Sequence, residues 1–138
     1  MKKYIILLSL VMGGTSLLLA QEERIKVVFD VTSDDTAVHG STIRHVQYMS
    51  EEYPDSKFEV VMYSGAYDMV NKNKSTVADE LEKLAKKDNV AFVVCKATID
   101  RHNMTDSDLI PGVTTVPNGI YEIFRKQKEG WGYIKEGK

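Results

Sequence analysis

Three near-continuous runs of β-branched and apolar residues constrain this chain most: Arg24 to Val31 (RIKVVFDV), Lys57 to Ser64 (KFEVVMYS) and Asn89 to Cys95 (NVAFVVC). A strand with one wet face alternates apolar and polar residues, whereas a strand buried on both faces does not. Runs of this kind therefore predict central strands with helices packed on either side. Two shorter candidates follow, Gly112 to Val116 (GVTTV) and Trp131 to Lys135 (WGYIK), the latter at an edge.

The segments between the runs carry helical spacing. Val38, Thr42, Val46, Met49 and Tyr53, with Ile43 beside them, draw one stripe down a helix over residues 36–52, ended by Pro54-Asp55. Val77, Leu81, Leu84 and Ala85 do the same over 75–87. There Ser75 is the expected cap, and acidic residues come early and lysines late, as the helix dipole favours. Thr105 to Asp108 has the form of a capping box and opens at most a short turn. Over 118–129 the expected inward face is Ile120, Ile123, Phe124 and Gln127, with Asn118 as cap and Gly130 as stop. Strand and helix in alternation predict a mostly parallel sheet with right-handed crossovers.

At the N-terminus, Lys2 and Lys3 precede an apolar stretch from Ile5 to Leu19 and then the small residue Ala20. That is the order of a secretory signal peptide, and the stretch is short for a spanning helix. Residues 1–20 are expected to be removed, residues 21–138 to form one domain, and the mature protein to be periplasmic without a membrane anchor. The formal net charge is −2 and no basic stripe appears, which argues against nucleic acid as a partner.

One cysteine, Cys95, is present, so no internal disulfide can form. An odd cysteine in an exported chain signals pairing with another molecule, a reactive thiol, or an inert buried residue. In an open parallel sheet, ligands gather beyond the carboxyl ends of the strands. Those ends carry Thr32 to Asp35 after the first strand, and Ser64 and Gly65 after the second. Cys95, Lys96 and Thr98 follow the third, Asn118 and Gly119 the fourth. A helix opening near Thr98 would aim its N–H groups at the thiol, and Lys96 would add a positive charge. His39 and His102 are candidate partners for Cys95 in a metal or redox site, but neither spacing matches a zinc pattern. Ser64-Gly65-Ala66 has too few glycines to cradle a phosphate, and Asp30, Asp34 and Asp35 read as turn chemistry. No cofactor or metal is expected.

The segments "FVVCKATI" and "DLIPGVTTVPNGIYEIFRKQKEGWGYIK" resemble the DsrE/DsrF-like sulfur-relay family, which includes the YchN-like proteins, in an exported subgroup. The matching positions are Cys95, Thr98-Ile99, Ile110 to Gly119, Lys126-Gln127 and Gly132 to Ile134. The chain departs from the family's common pattern at Ala97 and Ser64, where relatives often carry Asn and His. The resemblance implies a three-layer α/β/α sandwich on a five-stranded, mainly parallel sheet, and homo-oligomers, commonly trimers or hexamers. It also implies that Cys95 carries sulfur as a persulfide exchanged with a thiol partner protein; the strand-end residues Lys96, Thr98, Ser64, Gly65, Asn118 and Gly119 are the expected supporting set. The competing expectation is a non-catalytic oligomeric module of the same fold that binds a small ligand.

Overall fold

The computed structural model describes residues 24–137, so the expected signal segment lies outside the described residues. Five strands form one sheet in the order β4-β3-β2-β1-β5. They are β1 (Lys26–Val31), β2 (Lys57–Met62), β3 (Val90–Cys95), β4 (Val113–Val116) and β5 (Gly132–Glu136). Every pairing is parallel. The helices are α1 (Thr36–Glu52), α2 (Tyr67–Val70), α3 (Ala78–Ala85), α4 (Lys96–Arg101) and α5 (Gly119–Lys128).

The strand order dictates where the helices lie. From β1 to β4 the chain steps across the sheet in one direction, so right-handed crossovers place α1 through α4 on one face. The return from β4 to β5 crosses the whole sheet the other way, so the same rule places α5 alone on the opposite face. Alternate strand residues divide accordingly. Val27, Phe29, Phe58, Val60, Phe92 and Val94 join Val46, Met69, Leu81 and Ile99 in one large core. Val28, Val61 and Val93 meet only Ile123 of α5, flanked by Tyr63, Val116 and Trp131. Five strands about 4.8 Å apart span roughly 19 Å, and one helix about 10 Å wide covers about half of that. Ala91 and Thr114, in the uncovered register of this second face, are exposed accordingly.

Two helices differ from the sequence expectation. α3 begins at Ala78, and Ser75 caps nothing in it: its hydroxyl accepts from the Val77 N–H in a local turn. α5 is capped by Asn118 as expected, whose side chain accepts from Tyr121 N at 3.0 Å, but it is rolled about its axis. Its inward face is Gly119, Glu122, Ile123 and Lys126, while Ile120 and Phe124 are 66% and 58% exposed. The cause is Glu59, a buried carboxylate on β2 that takes Lys126 Nζ at 2.7 Å. A buried charge requires a partner, and that requirement outweighs the burial of two apolar side chains.

Candidate functional site

Cys95 ends β3 on the second face and is at once the N-cap residue of α4, two residues earlier than the sequence spacing suggests. It is 8% exposed and opens to a cleft of about 340 Å³ lined by Tyr63, Ser64, Ala97, Thr98, Arg101, Asn118 and Ile120. Burial pushes the thiol up, but the N–H groups of Gly119, Thr98 and Ala97 and the Thr98 hydroxyl favour the charged form, and the net direction is down. The lowering comes from fixed dipoles of two converging helix starts, α4 and α5. In its resting form the thiol makes no cap hydrogen bond, as suits a weak acceptor that gains its donors on ionising.

The expected site residues separate into groups. Thr98 is buried and accepts from the Ser64 N–H at 3.2 Å, which leaves its own proton free for the sulfur. Ser64 holds φ at 55°, the left-handed region that an L-residue enters at a cost of about 1 kcal/mol. It is the N–H of this residue that meets Thr98. Asn118 starts α5 and lines the cleft. Gly119 is required by space: a Cβ there would stand 3.2 Å from Cys95 Cβ and 3.3 Å from Tyr63 Cδ1. Only glycine lets the α5 amide approach the thiol without displacing either.

Lys96 and Gly65 lie elsewhere. The Lys96 ammonium pairs with Asp100 on the outer side of α4, and it is not among the groups that lower the thiol. Adjacency in sequence placed it close, but N1 of a helix points away from the N-cap side chain. Gly65 packs under the first loop, where a Cβ would meet Thr32 O at 2.9 Å. The histidines are engaged away from Cys95. His39 is buried and donates Nε2–H to Ser33 O at 2.7 Å, and His102 stacks on Tyr67 with ring centroids 3.6 Å apart. His45 pairs through Nδ1 with Glu136 at 2.9 Å. Among the described residues, no three His, Cys, Asp or Glu side chains converge as metal ligands would, and no helix is long and apolar enough to cross a membrane.

Sequence reasoning missed Tyr63 and Arg101, marked Ala97 only as a departure from the family pattern, and assigned Ile120 to the helix core rather than to the cleft. Tyr63 divides the thiol cleft from a second cleft of about 280 Å³, lined by Asp30, Ile120, Ile123, Phe124, Gln127 and Tyr133. Asp30 is buried at its floor and accepts from Tyr133 Oη at 2.6 Å and Lys135 Nζ at 3.2 Å. Burial, then the Asp30 charge, pushes the Tyr63 phenol up to about 12. The hydrogen bond to Asp30 does the same for Tyr133, also to about 12. Both phenols therefore stay neutral beside a thiolate. Their position one residue past β2 and within the edge strand was readable, but their shared carboxylate was not, because it depends on the β1–β5 register that sets Asp30 beside Lys135.

The same frame occurs in known structures. A protein of unknown function, MTH1491, from Methanobacterium thermoautotrophicum is 30% identical over 80% of this chain and 98% of its own, with a TM-score of 0.75. BT1422 from Bacteroides thetaiotaomicron, also of unknown function, is 14% identical over 80% of this chain and 93% of its own, with a TM-score of 0.67. The ychN protein from E. coli is 14% identical over 82% of this chain and 98% of its own, with a TM-score of 0.64, and so shares the fold. No functionally curated protein matches the chain. The profile of the DsrE/DsrF-like family matches residues 26–135, from the first residue of β1 to the last but one of β5, and the chain belongs to that family.

Proposed function

We propose that this protein is a single-thiol sulfur carrier, holding one sulfur as a persulfide on Cys95. The observation that carries it is a lone thiol, at the mouth of a cleft, whose surrounding donors favour the thiolate against its own burial. The thiolate attacks the outer sulfur of a donor persulfide. The donor S–S bond breaks, its electron pair leaves on the donor thiolate, and a new S–S bond forms at Cys95. An acceptor thiolate then attacks the outer sulfur, and Cys95 departs as thiolate into the same donors. Sulfur is transferred without net oxidation, and exchange runs fastest with a thiol pKa near ambient pH. With no second cysteine in the chain, no internal thiol competes for the sulfur, so a partner protein supplies the other thiol.

Export to the periplasm and assembly as a homo-oligomer belong to the same proposal. The exposed Ile120, Tyr121, Phe124 and Tyr133 beside the cleft are the apolar surface that an assembly would cover. The deciding experiment is mass spectrometry of Cys95, first in protein from its native host and then after incubation with a small-molecule persulfide. One added sulfur, lost on incubation with an acceptor thiol, is the expected result. An unmodified Cys95 in both would remove the carrier reading and leave the ligand-binding module.

A further inference from the structure

The second face presents a physical difficulty that the carrier reading does not address. α5 must hold the Gly119 N–H at the sulfur, yet its apolar anchorage is slight. Among the described residues Ile123 is its one buried apolar side chain, set on Val28, Val61 and Val93 with the partly buried Tyr63, Val116 and Trp131 around them. Contact of this kind is non-directional, and three valines form a surface along which a helix can slide at little cost. The directional contacts of α5 to the sheet are polar. Lys126, two turns after Gly119 on the same inward face, places Nζ 2.7 Å from Glu59 Oε2 and lies 4.1 Å from the centre of the Trp131 ring. Both side chains of the pair are about nine-tenths buried, at 11% and 8% exposure.

The surroundings show how unusual the arrangement is. Glu122 lies 3.8 Å from the same ammonium and is also bound by Arg125. Among the described residues no donor reaches the second Glu59 oxygen, Oε1, and the Glu59 and Glu122 carboxyls face each other closely enough to interact. Burial and the neighbouring Glu122 push the Glu59 carboxyl up, while Lys126 opposes them. A buried ion pair crowded by a second carboxylate is a poor device for stability, since well-packed apolar residues of similar volume do as well or better. It is a good device for register, because its energy depends steeply on distance and direction.

We propose that Glu59 and Lys126 are positioning residues for the thiol: their buried contact sets α5 along its axis and thereby holds the Gly119 amide at Cys95. The inference rests on the thiol site described above and extends the carrier reading, but its test involves no sulfur transfer. The rate of alkylation of Cys95 in the folded protein is measured against pH for the wild type, Glu59→Gln, Lys126→Met and the double variant Glu59→Leu/Lys126→Leu, with unfolding followed in denaturant. Lys126→Met is expected to raise the apparent thiol pKa by about half a unit to one unit, and so to lower the rate at pH 7 about three- to tenfold. Glu59→Gln, which can still accept from Lys126, is expected to shift it less. The double variant decides the matter. If the pair serves position, this variant regains stability while its thiol pKa stays raised. If the pair is merely structural, the thiol pKa returns to the wild-type value together with the stability, and the proposal is overturned. A thiol pKa unchanged in all three variants overturns it equally. A failure of persulfide formation in the wild type would instead count against the carrier reading alone.

Discussion

The two faces of the sheet are built on opposite plans. The first is closed by α1 through α4 over a continuous core that includes Phe29, Phe58 and Phe92, each about 1% exposed. The second is crossed by one helix, has a small apolar patch, and carries the buried polar groups Asp30, Glu59, Glu122 and Lys126 together with the thiol. Apolar burial supplies stability without direction, whereas buried polar groups supply direction at a cost in desolvation. The first face buries polar groups too, among them His39, Thr42 and Glu136, but beneath a continuous apolar core, so the two faces weight the two tasks differently. Chemistry gathers where packing is thin, because only there can a cleft reach the ends of the strands.

Substitutions can break that contrast from either side. Phe92→Ala on the closed face should cost about 3–5 kcal/mol of stability, read from denaturant midpoints. In the fraction that remains folded, the pH dependence of Cys95 alkylation should be unchanged. A shifted thiol pKa would mean that the faces are not independent. Gly119→Ala on the open face should cost less, about 1–2 kcal/mol, since the added methyl meets Cys95 Cβ at 3.2 Å. It should nevertheless raise the thiol pKa. The linkage follows from the lowered folded value: the thiolate's contribution to stability is present above the unfolded pKa, near 8.5, and is lost as pH falls through the folded pKa. In Gly119→Ala that pH-dependent gain should shrink, as pH-resolved unfolding curves would record.

Smaller effects sharpen the picture of the polar face. Tyr63 and Tyr133, both raised to about 12, should ionise late in an absorbance titration. Their contribution to stability should be full below pH 10 and lost as pH rises to about 12. Tyr133→Phe should cost about 1 kcal/mol and bring the Tyr63 titration to lower pH, because no second phenolate then forms beside it. An unaltered Tyr63 titration would separate the two phenols. Smallest of all, Lys96→Ala should change stability by less than about 0.5 kcal/mol and leave the thiol pKa in place, because its ammonium is spent on Asp100. A raised thiol pKa in this variant would restore Lys96 to the site.

The frame was legible because it follows from local signals. Strand runs buried on both faces, helix spacing between them and the Asn118 cap all predict the observed elements. So does the strand-end position of Cys95, and the family resemblance anticipated the layers. What escaped was set by contacts distant in sequence. The roll of α5 depends on Glu59, sixty-seven positions before Lys126, so an apolar stripe through Ile120 and Phe124 pointed the wrong way. Tyr63 gains its place from the Gly119 approach, fifty-six positions away. Lys96 was misplaced for a simpler reason: neighbours in sequence diverge at a strand-to-helix turn. The α3 start moved because Ser75 formed its own turn with Val77, as serine does when it competes with helix backbone.

The lone return crossover also has a consequence for the order in which the protein matures. Contacts close in sequence form at a smaller loop-closure cost than distant ones. β1 through β4 and their one-sided helices can associate stepwise, each on the element before it. The groups at Ala97 and Thr98 then reach Cys95 from its own immediate neighbourhood. Gly119, Lys126 and the edge strand β5 come last, and they must lie back across the whole sheet onto β1, made at the start. A chain that has closed only its main core thus lacks the Gly119 N–H beside its thiol. The full set of N–H groups around Cys95 is complete only when the final segment is in place.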